Sequence, residues 1–530
     1  MVSNSIVFYI SLSFVVLIVL VFQNFRKAVI FKWSVHRKQM KLPPGPTGLP
    51  VFGCLIQMLV NKPTFRWIHN LMDEMNTEIA CIRLGKVHVV SVTSPELARE
   101  FLKKKDITFA SRPDFMSARL TSNGYLTTIL SPVGDQWRKM RRVLSSHILS
   151  PAKHLWLQDK RVKEADNLVR YAYNQCKNSL EAGGLINVRM AAQQYSGNVI
   201  RQYIFSKSYF GKGMEDGGPG TEEEEHIEAI FSILSHLYSF SIADYVSWLE
   251  IFDFDGYKGK LKKAIGNLTE YHDPEIDHRI QMWKSGSKAN EEDILDVMIN
   301  LKDSDGSPLL TTEEIKAQII EIMIATVDNP SNAVEWSLAE MVNQPEILKR
   351  ATEELDEVVG RDTLVQESDL TKLNYVKACA KEAFRLHPIA PFNVPHVSTE
   401  DSSIASYFIP KGSHVILSRR GLGRNPRIWE EPLKYKPERH LNDDGSEVVL
   451  VDSKLNMLSF STGRRGCPGV LLGSTLTTML LARLIQGFTW SAPSNVPNID
   501  LNESEDNLLL AKPLFLQAKP RLSDNVYQQL

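Results

Sequence analysis

One cysteine of this chain stands in a loop of glycines, arginines and a proline, within the stretch "FSTGRRGCPG". The stretch has the spacing Phe-x-x-Gly-x-Arg-x-Cys-x-Gly, with Phe460, Gly463, Arg465, Cys467 and Gly469 at the fixed positions. Structural cysteines are mostly buried as small apolar side chains. The polar and flexible neighbours of this cysteine instead indicate a residue that takes part in chemistry.

The other cysteines exclude two common explanations for Cys467. The chain has five cysteines, far apart and irregularly spaced, and none of them forms a Cys-x-x-Cys pair. A structural zinc site is therefore not expected, and neither is a disulfide framework in so long a chain. We predict that the remaining four are free thiols in a reducing compartment.

A cysteine thiolate can hold a haem iron and push electron density onto it, which favours cleavage of an O–O bond. Such a thiolate needs a turn that exposes the sulfur and donates backbone N–H groups to it. The glycines at 463, 466 and 469 would let the backbone approach a porphyrin closely. The guanidinium of Arg465 would reach a haem carboxylate. We therefore predict a haem b site with Cys467 as the axial ligand of the iron.

The N-terminus carries an apolar stretch long enough to cross a membrane. Residues 1–25 contain no charged side chain, and Ile6 to Phe22 are polar only at two serines and a tyrosine. With the flanking residues this length reaches the ~30 Å of a hydrocarbon core. Lysines and arginines follow the stretch and none precedes it, which places the rest of the chain in the cytosol. We predict a transmembrane anchor over residues 1–25 and a basic juxtamembrane segment over residues 26–41.

The pattern after the anchor predicts one large, mainly α-helical domain with small β-sheets, over residues 42–530. Lys41 to Gly53 is rich in proline and glycine and reads as a stiff hinge. "HVVSV" predicts a strand, and Ser94 followed by Pro95 predicts a helix start. Residues 211–226, which include the run "EEEE", and residues 284–293 are predicted as solvated surface loops.

The net charge and the absence of several motifs exclude some classes of function. The formal net charge is −1, so nothing indicates a nucleic-acid partner. The sequence has no phosphate loop, no His-Glu-x-x-His and no Gly-x-Ser-x-Gly. "GLGRNP" lacks the third glycine of a dinucleotide fingerprint. The chain is therefore expected to carry no nicotinamide or flavin domain of its own.

From about Leu42 to the C-terminus the sequence resembles the plant microsomal cytochrome P-450s, which are haem-thiolate monooxygenases. "KEAFRLHP" supplies the Glu-x-x-Arg pair of that family as Glu382 and Arg385, three apart on one helix face. In the family this pair braces the cysteine loop, and Arg439 of "YKPERH" is its third member. His440 departs from the family, which usually has phenylalanine at that position.

"GDQWRKMRR" resembles the helix of the family that contacts the haem carboxylates. Trp137 and Arg141 are four residues apart, so both can face one carboxylate. His396 falls where the family often has a basic residue for the other carboxylate. The resemblance assigns Cys467, Arg465, Trp137, Arg141 and His396 to cofactor binding.

The same helix predicts an electron-supplying partner. Arg138 and Arg142, together with Lys139, form a basic face that in the family docks an NADPH–cytochrome reductase. Electrons would then come from NADPH through the FAD and FMN of that partner, at the endoplasmic reticulum membrane.

The segment "EIMIATVDNPSNAVEW" resembles the helix that crosses the oxygen side of the haem in this family. The usual acid is present as Asp328, but the usual threonine is replaced by Asn329. Pro330 removes a backbone N–H and is expected to kink the helix. Two such changes in the segment over the iron indicate altered chemistry.

"DNPSN" and "PFNVPHVS" resemble one subgroup, the amino acid N-monooxygenases that form aldoximes. The resemblance implies an L-amino acid that is hydroxylated twice on its amine and then loses water and carbon dioxide. As a hypothesis, Asp328 and Asn329 are the catalytic residues, organising the water that delivers protons. The products of such enzymes enter glucosinolates, cyanogenic glucosides or related defence compounds.

The substrate pocket is expected to lie between the loop 115–130, the helix face 320–328, residues 391–397 and the C-terminal stretch "LLLAKPL". Phe115, Met116 and Phe392 are apolar candidates for its lining. Lys512 could pair with a substrate carboxylate, although a surface lysine is favoured. The sequence does not identify the amino acid.

Three alternatives remain open at this stage. The first is a conventional haem-thiolate C-hydroxylase of a terpenoid or phenolic substrate. The second is an oxygen-independent haem-thiolate isomerase or dehydratase, because such enzymes also lack the oxygen-helix threonine. The third is a membrane-anchored haem sensor or scaffold that is not an enzyme.

Overall fold

The structure is a computed structural model that describes residues 41–177 and 184–530. The predicted anchor, residues 1–25, and all but the last residue of the segment 26–41 lie outside the described residues.

Helices account for most of the described chain, as the sequence pattern predicts. In the N-terminal half they are α1 (Leu55–Val60), α2 (Thr64–Glu74), α3 (Pro95–Arg99), α4 (Met116–Thr121), α5 (Asp135–Val143), α6 (Pro151–Trp156), α7 (Gln158–Lys177), α8 (Val188–Phe205), α9 (Thr221–His236) and α10 (Tyr257–Ser285). In the C-terminal half they are α11 (Ile294–Asn300), α12 (Thr312–Asn343), α13 (Pro345–Val358), α14 (Asn374–Leu386), α15 (Arg419–Gly423), α16 (Val470–Gly487) and α17 (Asp524–Gln528).

The strands form small sheets. They are β1 (Ile79–Leu84), β2 (Val87–Val92), β3 (Leu185–Asn187), β4 (His396–Val397), β5 (Ser402–Ile404), β6 (Tyr407–Ile409), β7 (His414–Leu417), β8 (Phe488–Ser491) and β9 (Phe515–Pro520). One sheet has the order β1-β2-β7-β4, a second has the order β3-β9-β8, and β5 pairs with β6 alone. The fold class predicted from the sequence, mainly α with small sheets, is confirmed.

The strand β7 delivers the chain to the site described below. It runs parallel to β2, with Leu417 opposite Val92. Ser418 then donates its N–H to the Val92 carbonyl (2.8 Å), and its hydroxyl accepts the N–H of Gly421 (2.7 Å). This serine therefore ends the strand and caps α15 at the same time.

The central element is the 32-residue helix α12. Thr311 and Glu314 form a capping box at its start. The helix is buried over most of its surface and packs against α8, α14 and α16. It runs through the core rather than over it, and its buried residues include charged side chains such as Glu321, Asp328 and Glu335 among the apolar ones. Pro330 lies within it, and the helix continues past the proline without a break.

Among residues 41–177 and 184–530, only α16 is long and apolar enough to cross a membrane by length and composition. Most of it is buried against other helices. It is a core helix of the domain, and its apolar character comes from that packing.

The predicted strand "HVVSV" lies within β2, and the predicted helix start is also confirmed. The hydroxyl of Ser94 accepts the N–H of Leu97, and Pro95 is the first residue of α3. Residues 286–292 form the central part of the loop predicted over residues 284–293, but Lys284 and Ser285 end α10 and Asp293 is buried as the N-cap of α11.

The prediction of a solvated loop over residues 211–226 is wrong for its acidic run. Helix α9 begins at Thr221, and the run forms its first turns. Glu223 is fully buried and accepts the backbone N–H groups of Phe210, Gly211 and Gly220. Carboxylates are favourable at a helix N-terminus because the unpaired N–H groups carry partial positive charge. The sequence shows only a run of glutamates. It does not show that one of them accepts the backbone N–H groups of a buried turn.

Candidate functional site

The cysteine loop presents its sulfur as the sequence predicts. The N–H of Cys467 donates to the Phe460 carbonyl (2.9 Å), which closes the loop. The N–H of Gly469 donates to the sulfur at 3.3 Å. Cys467 is exposed, whereas the other four cysteines are buried or half-buried free thiols.

Gly463 is required in the loop for a reason the sequence did not reveal. Its φ is +73°, in the left-handed region, and a Cβ there would lie 2.2 Å from the Leu102 carbonyl oxygen. A side chain at this position would collide with the backbone of Leu102, so this close approach requires the glycine.

Two guanidinium groups, that of the buried Arg112 and that of the half-buried Arg465, bind the backbone of the loop that precedes α5. Arg465 donates to the carbonyls of Ala110 (2.6 Å), Thr128 (3.2 Å) and Ser131 (2.6 Å). Burial, and next the charge of Arg112, lower the pKa of Arg465 to about 8. Two cations this close to each other indicate a place that suits an anion.

Arg112 is a site residue that the sequence analysis missed. It is buried and donates to the carbonyls of Val394, Pro395 and Ile129. Burial lowers its pKa to about 10. Its hydrogen-bond partners lie as many as 283 residues away in the sequence. The sequence therefore marks Arg112 only by its place just before the predicted pocket loop.

Trp137 and Arg141 both reach the cysteine loop from α5. The Arg465 guanidinium lies over the Trp137 ring, 4.5 Å from the ring centre, and Arg141 donates to the Gly466 carbonyl (2.9 Å). The four-residue spacing therefore places both on one helix face, as predicted.

His396 is buried on β4, and its Nδ1 lies 2.7 Å from the Phe109 carbonyl. Since a carbonyl only accepts, Nδ1 is the protonated nitrogen of the neutral ring. Burial, together with the charges of Arg112 and Arg465, keeps the pKa of His396 well below its usual value. His396 would therefore bind a carboxylate through Nε2 only after taking up a second proton.

The Glu-x-x-Arg pair is fully buried and fully paired. Arg385 donates to both carboxylate oxygens of Glu382, at 2.8 and 2.7 Å. Arg439 donates to Glu382 at 3.0 Å, and so does the backbone N–H of Lys436 at 2.8 Å. The predicted trio of Glu382, Arg385 and Arg439 is therefore brought together.

His440 is a further partner of the same carboxylate. Its Nε2 lies 2.8 Å from Glu382 Oε2, and the ring is buried. Burial alone would raise the pKa of Glu382, but the hydrogen bonds from Arg385 and His440 outweigh it and lower the pKa to about 2. The residue that departs from the family pattern is thus a hydrogen-bond donor in this chain.

The basic face of α5 is smaller than the sequence suggested. Arg138 and Arg142 are exposed, but Lys139 is half-buried and forms an ion pair with Glu314 (2.7 Å). Glu314 belongs to the first turn of α12, so Lys139 joins two helices. A sequence of four basic residues in five does not show which one turns inward.

On α12, Asn329 is exposed between the buried residues Asp328 and Pro330. Its side-chain nitrogen Nδ2 donates to the Ala325 carbonyl (2.9 Å).

The protonation state of Asp328 is set by its surroundings. Burial, and next the charge of Glu335, raise the pKa of Asp328 to about 7, against a smaller opposing effect of Arg189.

Asp328 Oδ1 is fully enclosed and has no hydrogen-bond partner within the described part of the chain. Glu335, two turns further along α12, is paired instead, with Arg189 (2.8 Å) and the N–H of Leu514 (2.9 Å). Asp328 is therefore a carboxyl group that can hold or release a proton near neutral pH.

Glu321 is a second residue of α12 that the sequence analysis missed. Its buried carboxylate accepts the backbone N–H groups of Thr128 (2.9 Å), Ile129 (2.8 Å) and Leu130 (3.2 Å). The same short loop gives its carbonyls to Arg465 and Arg112. The two guanidinium groups and α12 are thus connected through the loop 128–131.

A cavity extends between α12 and the cysteine loop. It is bordered by Asn329, Pro388, Arg419, Phe460 and Gly473, among others. Arg419 Nε is fully enclosed and has no hydrogen-bond partner in residues 41–177 and 184–530. The cavity therefore has one polar wall on α12, another on α15 and an aromatic wall from the cysteine loop.

The comparison with known proteins decides the family. The profile of the cytochrome P450 family matches residues 43–518, which is most of the chain.

The chain belongs to the cytochrome P450 family.

Several proteins named as amino acid N-monooxygenases are similar to it over nearly their whole length. Isoleucine N-monooxygenase 1 of Lotus japonicus is 56% identical over 516 residues, 95% of this chain and 96% of that protein. Valine N-monooxygenase 1 of Manihot esculenta is 58% identical over 92% of this chain and 89% of its own. Phenylalanine N-monooxygenase of Arabidopsis thaliana is 54% identical over 92% and 93%.

The cofactor of a cytochrome P450 is haem b with a thiolate-ligated iron, and the residues present fit it. The Cys467 sulfur is exposed, yet enough protein surrounds it for burial to raise its pKa, as expected for a group that faces an internal space. The N–H of Gly469 and the charges of Arg141 and Arg419 act in the opposite direction and favour the thiolate. Arg465 and Arg112 supply buried positive charge for the haem carboxylates.

The predicted pocket residues have different surroundings. Phe115 is buried with its ring 5.6 Å from Tyr238, 5.7 Å from Tyr245 and 5.1 Å from His414. Phe392 instead stacks on His69 (5.1 Å) within a separate core cluster. Lys512 is exposed and forms no ion pair in the described part of the chain, which favours the interpretation as a surface lysine.

Proposed function

We propose that this cytochrome P450 is an amino acid N-monooxygenase that converts an L-amino acid to an aldoxime. The observation that carries the proposal is the similarity to proteins named as isoleucine, valine and phenylalanine N-monooxygenases over 92–95% of this chain. The Asn329–Pro330 pair on α12, in place of the usual threonine, supports the same conclusion.

The reaction consists of two N-hydroxylations and one fragmentation. Each hydroxylation uses one O₂, two electrons from NADPH and two protons, and it releases one water. In the N,N-dihydroxy amino acid the carbon–carboxylate bond then breaks, and its electron pair forms the carbon–nitrogen double bond. One N–OH group leaves with a proton as water, and the carboxylate leaves as CO₂.

Haem, when bound, supplies the reductive activation of O₂. Cys467 would bind the haem iron through its sulfur, since the residue is exposed and the sulfur accepts the N–H of Gly469. Arg465 and Arg112, with Trp137, Arg141 and His396 beside them, would hold the haem carboxylates. Glu382, Arg385 and Arg439 would fix the segment that follows α15 and so support the cysteine loop.

Asp328 and Asn329 are the proposed catalytic residues. Asp328, with a pKa of about 7, can hold a proton and release it near neutral pH. Asn329 lies beside it at the cavity and orients the water or substrate that receives the proton. Arg189 and Glu335 would tune Asp328, because their ion pair lies along the same helix face.

We also propose that residues 1–25 anchor the protein in the endoplasmic reticulum membrane, with 26–41 as the basic juxtamembrane segment and the catalytic domain, 42–530, in the cytosol. Two described segments support contact with lipid. Val60 at the end of α1 is 76% exposed and Ile251 is 83% exposed, and Phe52, Ile56, Trp248, Phe252 and Phe254 are exposed as well. Such apolar groups suit a bilayer surface better than water.

Deleting residues 1–25 should release the protein only partly from microsomes, and the further substitutions Trp248→Ser and Ile251→Ser should complete the release. Complete release by the deletion alone would contradict the contribution of the two segments.

The partner that supplies electrons is proposed to be an NADPH–cytochrome reductase, docking on the exposed side chains of Arg138 and Arg142. Arg142→Glu should slow turnover supported by the reductase while leaving turnover driven by an added peroxide unchanged. Equal loss with both would show that Arg142 acts on the fold and not on docking.

The proposed function is tested with the full-length protein and a reductase in membranes. Each proteinogenic L-amino acid and a set of chain-elongated methionine analogues are supplied with NADPH, and aldoximes are identified by mass spectrometry. One amino acid should give its aldoxime together with CO₂ from its labelled carboxyl group, and it should shift the Soret band towards high spin. If only terpenoid or phenolic compounds shifted the band and were hydroxylated, the protein would be a conventional C-hydroxylase.

A further inference from the structure

One face of α12 carries three buried polar side chains in a row, which belong to Asp328, Asn332 and Glu335. They are spaced four and three residues apart, so each lies about one helical turn from the next on the same side of the helix. This side faces the start of α8, because the charge of Arg189 there acts on both carboxyl groups. Polar groups inside a core helix need either partners or a use, so each member of the row requires an explanation.

The outer end of the row is paired. Both carboxylate oxygens of Glu335 accept the Nε–H of Arg189, at 3.0 and 2.8 Å, and Oε1 also accepts the N–H of Leu514 at 2.9 Å. The side chain of Arg189 is only partly buried. The ion pair therefore reaches from the buried face of α12 to the surface of the protein.

The inner part of the row is unpaired. Oδ1 of Asp328 and Oδ1 of Asn332 are both enclosed, and neither has a hydrogen-bond partner among the residues that the structure describes. Both atoms accept hydrogen bonds, and their side chains are one turn apart. A single water molecule between them would donate one hydrogen to each, and buried waters typically bind polar groups that otherwise lack partners.

The two carboxyl groups of the row influence each other. After burial, the charge of Glu335 is the largest influence that raises the pKa of Asp328 to about 7, and Arg189 opposes it. Burial also raises the pKa of Glu335. Uptake of a proton by Glu335 removes its charge and so lowers the pKa of Asp328. A proton that arrives at the outer end therefore favours release of a proton at the inner end.

We propose that Glu335 and Asn332 form, with Asp328, a path that carries protons from the surface at Arg189 to the oxygen side of the haem site. A proton enters at Glu335, passes through the water held by Asn332 and reaches the Asp328 carboxylate. The proton that Asp328 held before has left towards Asn329. Each transfer breaks one O–H bond and forms another, so the residues are unchanged after one proton has passed.

Asn332 and Glu335 act through Asp328 and are positioning residues of the path. The path serves the monooxygenase reaction, which consumes two protons for each O₂, and it is independent of which substrate is hydroxylated.

The first test follows proton exchange and not turnover. The full-length ferric haem protein is diluted into D₂O below pH 7, where Asp328 is protonated. Infrared spectroscopy follows the carbonyl band of this carboxyl group, which shifts when deuterium replaces the proton and is absent in Asp328→Asn. Asn332→Leu keeps a similar volume without polar atoms and should slow the exchange by about tenfold or more. Asn332→Ser can bind the water again and should recover part of the rate.

The second test measures where the electrons of NADPH go when no amino acid is added. Electrons that reach O₂ are then recovered as hydrogen peroxide or as water, and only the formation of water needs further protons. Glu335→Gln keeps the shape of the side chain but takes up no proton. It should raise the peroxide fraction severalfold and increase the solvent isotope effect on water formation. Glu335→Asp keeps a carboxyl group and should recover part of the loss.

The same helix offers matched controls that face elsewhere. Glu340→Gln removes another buried carboxyl group, which lies beside His387 (2.7 Å) and about 120° round the helix axis from Asp328. Ser337→Ala removes a buried polar group about 180° round the axis from Asp328. Both controls should leave the exchange rate and the peroxide fraction unchanged.

The contrary results are distinct. Equal exchange rates in the parent and in Asn332→Leu would show that the proton of Asp328 arrives from the haem side, and the path would be wrong. If Asn332→Leu takes up no haem, Glu335→Gln supplies the same exchange test and should also be slow. A Glu335→Gln variant that loses stability in urea, with unchanged exchange and peroxide fraction, would reduce the ion pair with Arg189 to a structural contact and overturn the proposal. No readout uses an amino acid, so failure of the proposed function would be seen separately.

Discussion

The two sides of the site differ in how their buried charges are satisfied. Behind the cysteine loop, the carboxylate of Glu382 receives hydrogen bonds from Arg385, Arg439, His440 and the N–H of Lys436. On the cavity side, the buried Asp328 Oδ1 and the Nε of Arg419, which borders the cavity, have no partner in the described residues. Both sets of groups are enclosed by protein, so burial alone does not explain the difference.

The comparison separates two regions. The holding region is the network around Glu382 behind the cysteine loop, and the reacting region contains Asp328 and Arg419 on the cavity side. A buried charge with all its partners fixes the backbone around it, because any movement would break several charge-assisted hydrogen bonds at once. A buried charge without partners costs stability and is retained where a ligand or a proton uses it. Substitutions should therefore affect mainly stability in the first region and mainly binding or turnover in the second.

The largest effect is expected from Arg385→Met. The substitution leaves Glu382 buried with only weaker partners, and breaking a buried pair in this way costs about 3–5 kcal/mol of unfolding free energy. Urea unfolding followed by circular dichroism measures it. Arg350→Met is the matched control, since Arg350 and Glu438 form an exposed pair (3.2 Å) that should contribute less than about 1 kcal/mol. Similar losses in both variants would contradict a special role for the buried network.

The next effect depends on pH and comes from Glu382. Its folded pKa of about 2 lies below its ordinary value of 4.5. The carboxylate therefore stabilises the fold fully above about pH 4.5, and this contribution, about 3 kcal/mol, is lost as the pH falls towards 2. In Glu382→Gln this part of the acid dependence should disappear. Acid unfolding curves of the two proteins test it, and parallel curves between pH 5 and pH 2 would contradict it.

His440→Phe should have a smaller effect on the same carboxylate. Phenylalanine fills the site but removes one donor to a buried charge, which costs about 1–3 kcal/mol. With one hydrogen bond fewer, the pKa of Glu382 rises, so acid unfolding should begin at a higher pH. His440→Gln can still donate and should recover part of the loss. A phenylalanine variant as stable as the parent would mean that the histidine contributes only its volume.

The smallest loss of stability is expected from Asp328→Asn, in the reacting region. Since the pKa of Asp328 is raised from 3.8 to about 7, the parent loses stability as the pH rises between these two values, because the unfolded chain releases this proton before the folded chain does. The neutral amide has no such loss, so the variant should match the parent below about pH 4, become more stable than it between about pH 4 and pH 7, and keep that difference above pH 7. Product formation should nevertheless fall relative to NADPH consumption. A loss of several kcal/mol without loss of coupling would reverse the assignment of the two regions.

The sequence predicted those parts of the site that depend on local spacing. The cysteine loop, the i, i+3 pair of Glu382 and Arg385 and the i, i+4 pair of Trp137 and Arg141 all lie within one turn or two of a single element. Their geometry follows from helix periodicity and from a short closed loop, so the structure places them as expected.

The parts that were missed depend on contacts between distant segments. Arg112 and Glu321 meet the loop before α5 from different elements, and Arg419 is brought to the cavity by the pairing of β7 with β2. Lys139 and Glu223 look like surface charges in the sequence, yet one bridges to α12 and the other is buried in a turn. Whether a charged side chain points inward depends on the partner that the fold brings to it, and the local sequence pattern does not show that partner.

The way in which β7 ends has a consequence for chain length. Ser418 is held to Val92 by the parallel pairing, and α15 begins at the next residue. Loss or gain of one residue in β7 would bring Arg420 or Ser418 to the place of Arg419 and would turn each strand side chain to the opposite face of the sheet. The four-residue strand thus sets a register between scaffold and cavity, and the arrangement of the cavity wall should be as sensitive to single-residue insertions and deletions there as to changes in the side chains themselves.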